Sequence, residues 1–379
     1  MDRIFIFKKD LIVQYCRGYN IRMTENTNKI FDVTSPYRRL ARTLDALPNR
    51  FPPADDESEL HLLAKIFTVE EADLTACLLP VLETPAEISL RLERDVKDVM
   101  ALLKDMSKKG LILVGKTEQG RLGFGLMPFV VGIYEAQIGR IDAEMAQLFE
   151  IYYHEAFQKS LKIHPQVHRV IPVGESIKND MEVHPFESVS NLLDDAKSWG
   201  VVDCICRTQK ALIGDPCSHP LDVCMVLSQK DDAFANNNTI RTLNRDEAAS
   251  TLKRAADTGL VHCVSNQQSE LWYICNCCTC SCSILRGMAD LGMANVVARS
   301  AFVSRVNANQ CIACGICVDA CQFDALLLEE VIKVQEMRCV GCGVCIPLCS
   351  QEALFLERRP AAELPPVTEK DWGAARTSL

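Results

Sequence analysis

The chain has 379 residues, 48% hydrophobic and 24% charged, with a formal net charge of −9. That leaves room for two or three compact units of ordinary soluble composition, and the acidic balance argues against a general binder of nucleic acid or anionic membranes. Twenty cysteines without a secretory leader suggest a reducing, cytoplasmic setting rather than a disulfide scaffold, and no segment reaches the roughly twenty apolar residues of a membrane span, residues 4–7 being cut off by Lys8, Lys9 and Asp10.

Residues 1–48 read as an N-terminal extension that packs on a neighbour, and the acidic, turn-rich run 49–57 marks a boundary. Beyond it Leu60, Leu63, Ala64 and Phe67 form a helical stripe, and a second helix follows over 69–79. Thr84, Pro85 and Glu87 supply an N-cap, a proline at the first helical position and a first-turn carboxylate. Val96, Val99, Met100 and Leu103 then repeat with helical spacing until Gly110, and 111–114 and 122–127 read as two strands joined by 115–121. Helices followed by a hairpin resemble a winged helix-turn-helix, so 49–130 is expected to be a winged-helix-like domain. Between Arg50 and Arg121 there are 10 Lys/Arg against 14 Asp/Glu, and Asp95, Asp98 and Asp105 interrupt the lysines of the last helix. A DNA-reading helix presents a basic, polar face, so protein docking is the expectation here.

A helical connector is expected over 131–203. It contains an amphipathic helix at 139–161, with Ile141, Met145, Leu148, Phe149, Tyr152 and Phe157 on one side, and a helix at 186–200 closed by Gly200. His154 and Glu155 lack a His-Glu-x-x-His pattern and read as a solvated face, and His164, His168 and His184 receive no role.

Residues 204–299 are expected to form a Cys-rich metal-binding domain. Cys204, Cys206, Cys217 and Cys224 are followed by Cys263, then by Cys275, Cys277, Cys278, Cys280 and Cys282, ten cysteines in 79 residues. In an extended strand residues two apart share a face, which suits a cluster lying against Cys204 and Cys206, and Arg207 beside them favours thiolates. Three readings stay open: a third iron–sulfur cluster, zinc held by four thiolates, or cysteines that are redox-active or simply buried. Cys204, Cys206, Cys217 and Cys224 are the most economical ligand set. Asn244 caps a short helix that ends at Thr258 and Gly259, and the apolar stretch 283–303 should pack rather than dangle.

The run Cys311, Cys314, Cys317, Cys321 recurs 28 residues later as Cys339, Cys342, Cys345, Cys349, each time as C-x2-C-x2-C-x3-C. This spacing predicts two 4Fe-4S clusters whose fourth cysteines are exchanged. One is held by Cys311, Cys314, Cys317 and Cys349, the other by Cys339, Cys342, Cys345 and Cys321. Gly315, Gly341 and Gly343 free the backbone to curl around each cluster. Residues 305–358 resemble bacterial-type dicluster ferredoxins, which implies a βαββαβ fold, and 300–358 is taken as that domain. The resemblance is broken where Gln322 and Ser350 replace the proline that usually follows the fourth cysteine. The remainder, 359–379, reads as a flexible tail.

The stretches 204–207, 215–224, 259–262, 275–278 and 285–287, with 125–135 in the N-terminal half, resemble a group of bacterial and archaeal 4Fe-4S dicluster ferredoxin-like electron-transfer proteins. The resemblance implies a multi-domain α+β chain that passes single electrons to or from a redox enzyme or electron-transfer complex. The sequence contains no Gly-x-Gly-x-x-Gly opening a βα unit and no P-loop, so hydride chemistry is assigned to the partner, and a subunit is expected in preference to a free-standing enzyme. The alternative is an iron–sulfur redox sensor that regulates transcription through the winged-helix-like domain.

Overall fold

A computed structural model describes residue 32 and residues 34–177, 181–235 and 237–378. Most of the expected N-terminal extension, residues 1–31 and 33, lies outside the described residues. Its described end is helix α1 (Pro36–Asp45), which buries Tyr37, Leu40, Ala41 and Leu44 at helical spacing and so belongs to the protein's own core.

Four further helices follow, α2 (Ser58–Ile66), α3 (Val69–Thr75), α4 (Pro85–Leu92) and α5 (Val96–Lys108). Reciprocal caps start two of them: Thr68 and Glu71 for α3, Thr84 and Glu87 for α4. On α5 the side chains of Val99, Leu103 and Met106 point inward. Strands β1 (Leu113–Lys116) and β2 (Leu122–Gly125) pair as an antiparallel hairpin. The first strand starts two residues later than expected because Leu111 and Ile112 are taken into the core.

Helix α6 (Ala143–Glu155) is capped by Asp142, which accepts from Met145 N–H at 2.8 Å. The single helix expected over 139–161 is thus shorter, and a 3-10 segment over 157–162 follows it. An aromatic cluster binds α6 to the preceding chain, with Tyr134 stacked on Phe149 at 3.9 Å and Phe51 against Tyr152 at 4.8 Å between ring centroids.

The middle of the chain is built on a six-stranded antiparallel sheet. Its strands are β3 (His168–Val170), β4 (Ser198–Asp203), β5 (Asp222–Ser228), β6 (Arg241–Leu243), β7 (Val261–Ser265) and β8 (Tyr273–Cys277), in the order β3-β7-β8-β5-β4-β6. Helices α7 (Val189–Asp195) and α9 (Arg245–Asp257) share a core with the sheet through Val189, Leu192, Leu193, Ala248 and Leu252, packed with Val201, Met225 and Ile274. Helix α8 (Ile205–Leu212) follows β4 directly. Two expectations are corrected here. The helix placed at 186–200 is α7 followed by β4, and Gly200 lies inside the strand, where a Cβ would come within 2.3 Å of Ile240 Cγ2. The stretch 131–203 is therefore more than a helical connector, since it supplies β3 and β4 to the sheet that carries the upper cysteines.

Short helix α10 (Arg286–Ala289) lies in the 283–303 stretch, where Leu285, Val296 and Val297 are buried. Next come β9 (Phe302–Val306), short helix α11 (Ile316–Asp319), the β10 (Leu326–Leu328) and β11 (Ile332–Val334) hairpin, and β12 (Leu354–Arg358) pairing back on β9. Turns at 344–348 stand where the second helix of the βαββαβ order was expected. The two cysteine runs share a backbone path: Ala313 and Gly341 have φ of 53° and 72°, Gly315 and Gly343 have φ of 80° and 73°.

The stretch expected to be a flexible tail is held in place. Thr368 and Asp371 cap helix α12 (Glu369–Thr377), and the buried Arg376 donates to Pro48 O at 2.7 Å and Ile163 O at 2.7 Å. These bonds satisfy a buried guanidinium, and the buried Trp372 beside it donates to Gln166 O at 2.9 Å.

Candidate metal centres

The cysteines of the twin runs sort into two neighbourhoods. Burial pushes the Cys317 thiol up, and the thiols that add to this effect are Cys314, Cys349 and Cys311. Burial likewise raises Cys342, with Cys345, Cys339 and Cys321 adding. Cys321 thus acts on a cysteine of the second run and Cys349 on one of the first, while Cys317 also adds to the rise at Cys345, so the two sets adjoin. Cys314 is exposed and Cys311 half-buried, whereas Cys339 and Cys345 are buried.

The ten upper cysteines come together from distant parts of the chain. Side-chain contacts run from Cys204 to Cys206, on to Cys282, Cys277, Cys275 and Cys224, and back to Cys204. The turn from β4 into α8, strands β5 and β8, and the loop after β8 supply this circuit. Cys263 on β7 stands beside Cys277, and the two form a tight, buried group with His168 on β3. His168 helps hold the Cys277 thiol down. Hydrogen bonding to Cys277 and burial push the Cys263 thiol up, and Cys342 adds to the shift, so Cys263 stands between the upper cysteines and the second run.

Cys217 belongs to a different group. Its Sγ lies 3.0 Å from His219 Nδ1, 3.2 Å from Cys280 Sγ and 3.7 Å from Cys278 Sγ. The economical set of Cys204, Cys206, Cys217 and Cys224 is therefore divided between two places. Sequence reasoning passed over His219 and His168. His219 carried a usable signal, since it stands two residues after Cys217 between Pro216 and Pro220.

Arg207 tests whether this region suits an anionic group. The side chain is only 1% exposed. Nη1 donates to Asn276 O at 3.0 Å and lies 3.8 Å from Cys278 Sγ, while Nε and Nη2 have no partner among the described residues. Burial alone would lower its pKa, but Cys204, Cys224 and Cys278 outweigh burial and raise it, keeping the charge on. A buried cation facing three sulfurs, with donors to spare, fits metal-bound thiolates.

Gln322, which stands where a proline was expected, ties the two cysteine regions together. Its Oε1 accepts from Thr279 N–H at 2.8 Å, between Cys278 and Cys280, and its Nε2 donates to Gly259 O. Farther along, Val173 N–H donates to Cys342 O at 2.9 Å.

Residues 310–353 match the family model of the 4Fe-4S dicluster domain. The match takes in all eight cysteines of the twin runs, so the C-terminal part of the chain is a ferredoxin-like dicluster domain that binds 4Fe-4S clusters, the chemistry of iron–sulfur electron transfer. No curated protein and no solved structure matches the chain. Among the described residues no helix is long and apolar enough to cross a membrane.

The half-buried Glu150 carboxylate and the buried cations Arg286 and Lys210 lock the upper region onto α6. Glu150 accepts from Arg286 at 2.6 and 2.9 Å and from Gln209 at 3.0 Å, and Lys210 lies 3.5 Å away. Burial would raise the Glu150 carboxyl, but the hydrogen bonds from His154 and Arg286, with the charges of Arg286 and Lys210, hold it well below the ordinary carboxylate range.

Proposed function

We propose that this protein relays single electrons to or from a partner redox enzyme through two 4Fe-4S clusters and a third iron–sulfur centre in the buried cysteine circuit. The observation that carries the reading is the twin cysteine run inside the family match, and the influence of Cys349 on Cys317 and of Cys321 on Cys342 supports exchanged fourth ligands. Cys311, Cys314, Cys317 and Cys349 hold the first cluster, and Cys339, Cys342, Cys345 and Cys321 the second. When bound, such clusters exchange one electron at a time without substrate chemistry.

The relay runs from surface to interior. Ile312, Ile316, Leu328 and Leu348 are 64%, 52%, 52% and 40% exposed and lie in or beside the first cluster's cysteine loops. Apolar side chains exposed around a redox centre suit a protein partner. From the buried second cluster, Cys263 leads toward Cys277 and the upper circuit. Zinc in that circuit is the weaker reading, because its six thiols form no group as tight as a mononuclear ion needs.

Residues 49–130 serve, on this reading, as a winged-helix-like docking domain for protein. The outward face of α5 alternates Lys97, Asp98, Lys104, Asp105 and Lys108, all exposed, a mixed pattern unlike a phosphate-binding face.

Anaerobic purification with iron and sulfide counting and EPR tests the proposal. About eight irons are expected from the dicluster domain and about four from the upper circuit, the latter lost when Cys204 and Cys206 are changed together to serine. Preparations reconstituted to no more than one cluster per chain would sink the relay, and an unchanged metal count in the double variant would remove the third centre.

A further inference from the structure

Cys217, His219, Cys278 and Cys280 do not join the cysteine circuit. Their four ligand atoms all lie within 4.8 Å of one another. A tetrahedral ion with bonds of about 2.3 Å to sulfur and about 2.0 Å to nitrogen holds its ligand atoms about 3.5–3.8 Å apart. The observed separations bracket that range: 3.2 and 3.7 Å between sulfurs, 3.0 and 3.9 Å from sulfur to His219 Nδ1. A 4Fe-4S cubane places each thiolate on a different iron and so keeps the sulfurs farther apart. The dicluster domain provides the comparison inside the same molecule, since none of its eight cysteines joins a group this tight.

We infer that Cys217, His219, Cys278 and Cys280 form a closed mononuclear zinc site, separate from every iron–sulfur centre. The chemistry and the local chain agree with it. Three thiolates on a divalent ion leave one negative charge, and Arg207, buried 3.8 Å from Cys278 Sγ, supplies one positive charge. Pro216 and Pro220 stiffen the short loop that presents Cys217 and His219, and the His219 N–H points back to Cys217 Sγ at 3.4 Å. The site also has a mechanical position. Thr279, between two of the ligands, donates to Gln322, the residue after Cys321, so an ion here fixes the loop against which the dicluster domain rests. With four protein ligands and no open position, the ion is structural and does not react.

The experiment is metal analysis and zinc K-edge absorption on the full chain, purified anaerobically from zinc-replete medium. About one zinc per chain is expected in addition to iron, with a shell of three sulfurs near 2.3 Å and one nitrogen near 2.0 Å. Changing Cys217 and Cys280 together to serine should remove the zinc and leave the iron count unchanged. Absence of zinc from the parent, a shell of four sulfurs, or loss of iron with zinc retained would each overturn the inference. If the double variant proves insoluble, the absorption spectrum of the parent still decides. The iron count is read separately, so failure of the zinc site and failure of the electron relay are distinguishable.

Discussion

Replacing Glu150 with alanine should loosen both segments that deliver cysteines to the upper circuit. Its carboxylate receives two hydrogen bonds from Arg286, four residues after Cys282, and one from Gln209, three residues after Cys206. The Arg286 side chain is 2% exposed and that of Lys210 9%, so the variant leaves two cations with little access to water. Removing one partner of such a buried pair costs about 3–5 kcal/mol. Arg286 keeps Asp290 at 3.0 Å and the Tyr153 ring at 4.2 Å, and Lys210 keeps Asp215 at 2.7 Å, so the lower end, about 3 kcal/mol, is expected. Glu150→Gln preserves shape but loses charge and should cost about 2 kcal/mol. The assay is anaerobic urea unfolding followed by far-ultraviolet dichroism, with cluster absorbance read on the same sample. The sign of the pH dependence follows from the depressed carboxyl. Its stabilisation is complete above the unfolded value of about 4.3 and fades as pH falls toward the folded one, so parent and Glu150→Gln should converge in acid. A loss below about 1 kcal/mol for Glu150→Ala, the range of an exposed ion pair, would refute the buried clamp.

Cys321→Ala should degrade the cluster associated with Cys339, Cys342 and Cys345, seen by EPR as a three-iron signal or none; damage to the other cluster instead would reverse the ligand assignment. Gln322→Ala removes two bonds between the dicluster domain and the upper region and should lower stability by about 1–2 kcal/mol. Gln322→Pro should do the same, and a neutral result in both would dismiss the tie. The full chain at low salt should leave mixed genomic DNA unbound, because an acidic surface gains nothing from counterion release. Salt-sensitive binding at micromolar protein would favour the transcriptional sensor.

What could be read in the sequence was whatever depends on local spacing. The twin cysteine runs are local in this sense, and so are the caps at Thr84 and Asn244, because ligand and cap geometries span only a few residues. The upper circuit is different. Its thiols meet only after β8 pairs with β5 and β7, a topology that no spacing encodes. Strand β4 reads as helix in the sequence because Gly200 looks like a helix stop until the packing of Ile240 against it is known. Order in the tail rests on Arg376 reaching carbonyls more than two hundred residues away, contacts that leave no periodic trace.

Burial across the cysteines is graded, and the gradient has a consequence for life in air. Cys314 is exposed, Cys311 and Cys349 half-covered, and Cys263, Cys277 and Cys282 buried. Dissolved oxidants reach sulfur in proportion to its accessibility. Damage should therefore advance inward from the face that the proposed relay uses for exchange. A briefly aerated molecule would first lose its exchange with partners while its interior centres stayed intact, so it could still look iron-rich and coloured after its working surface had failed.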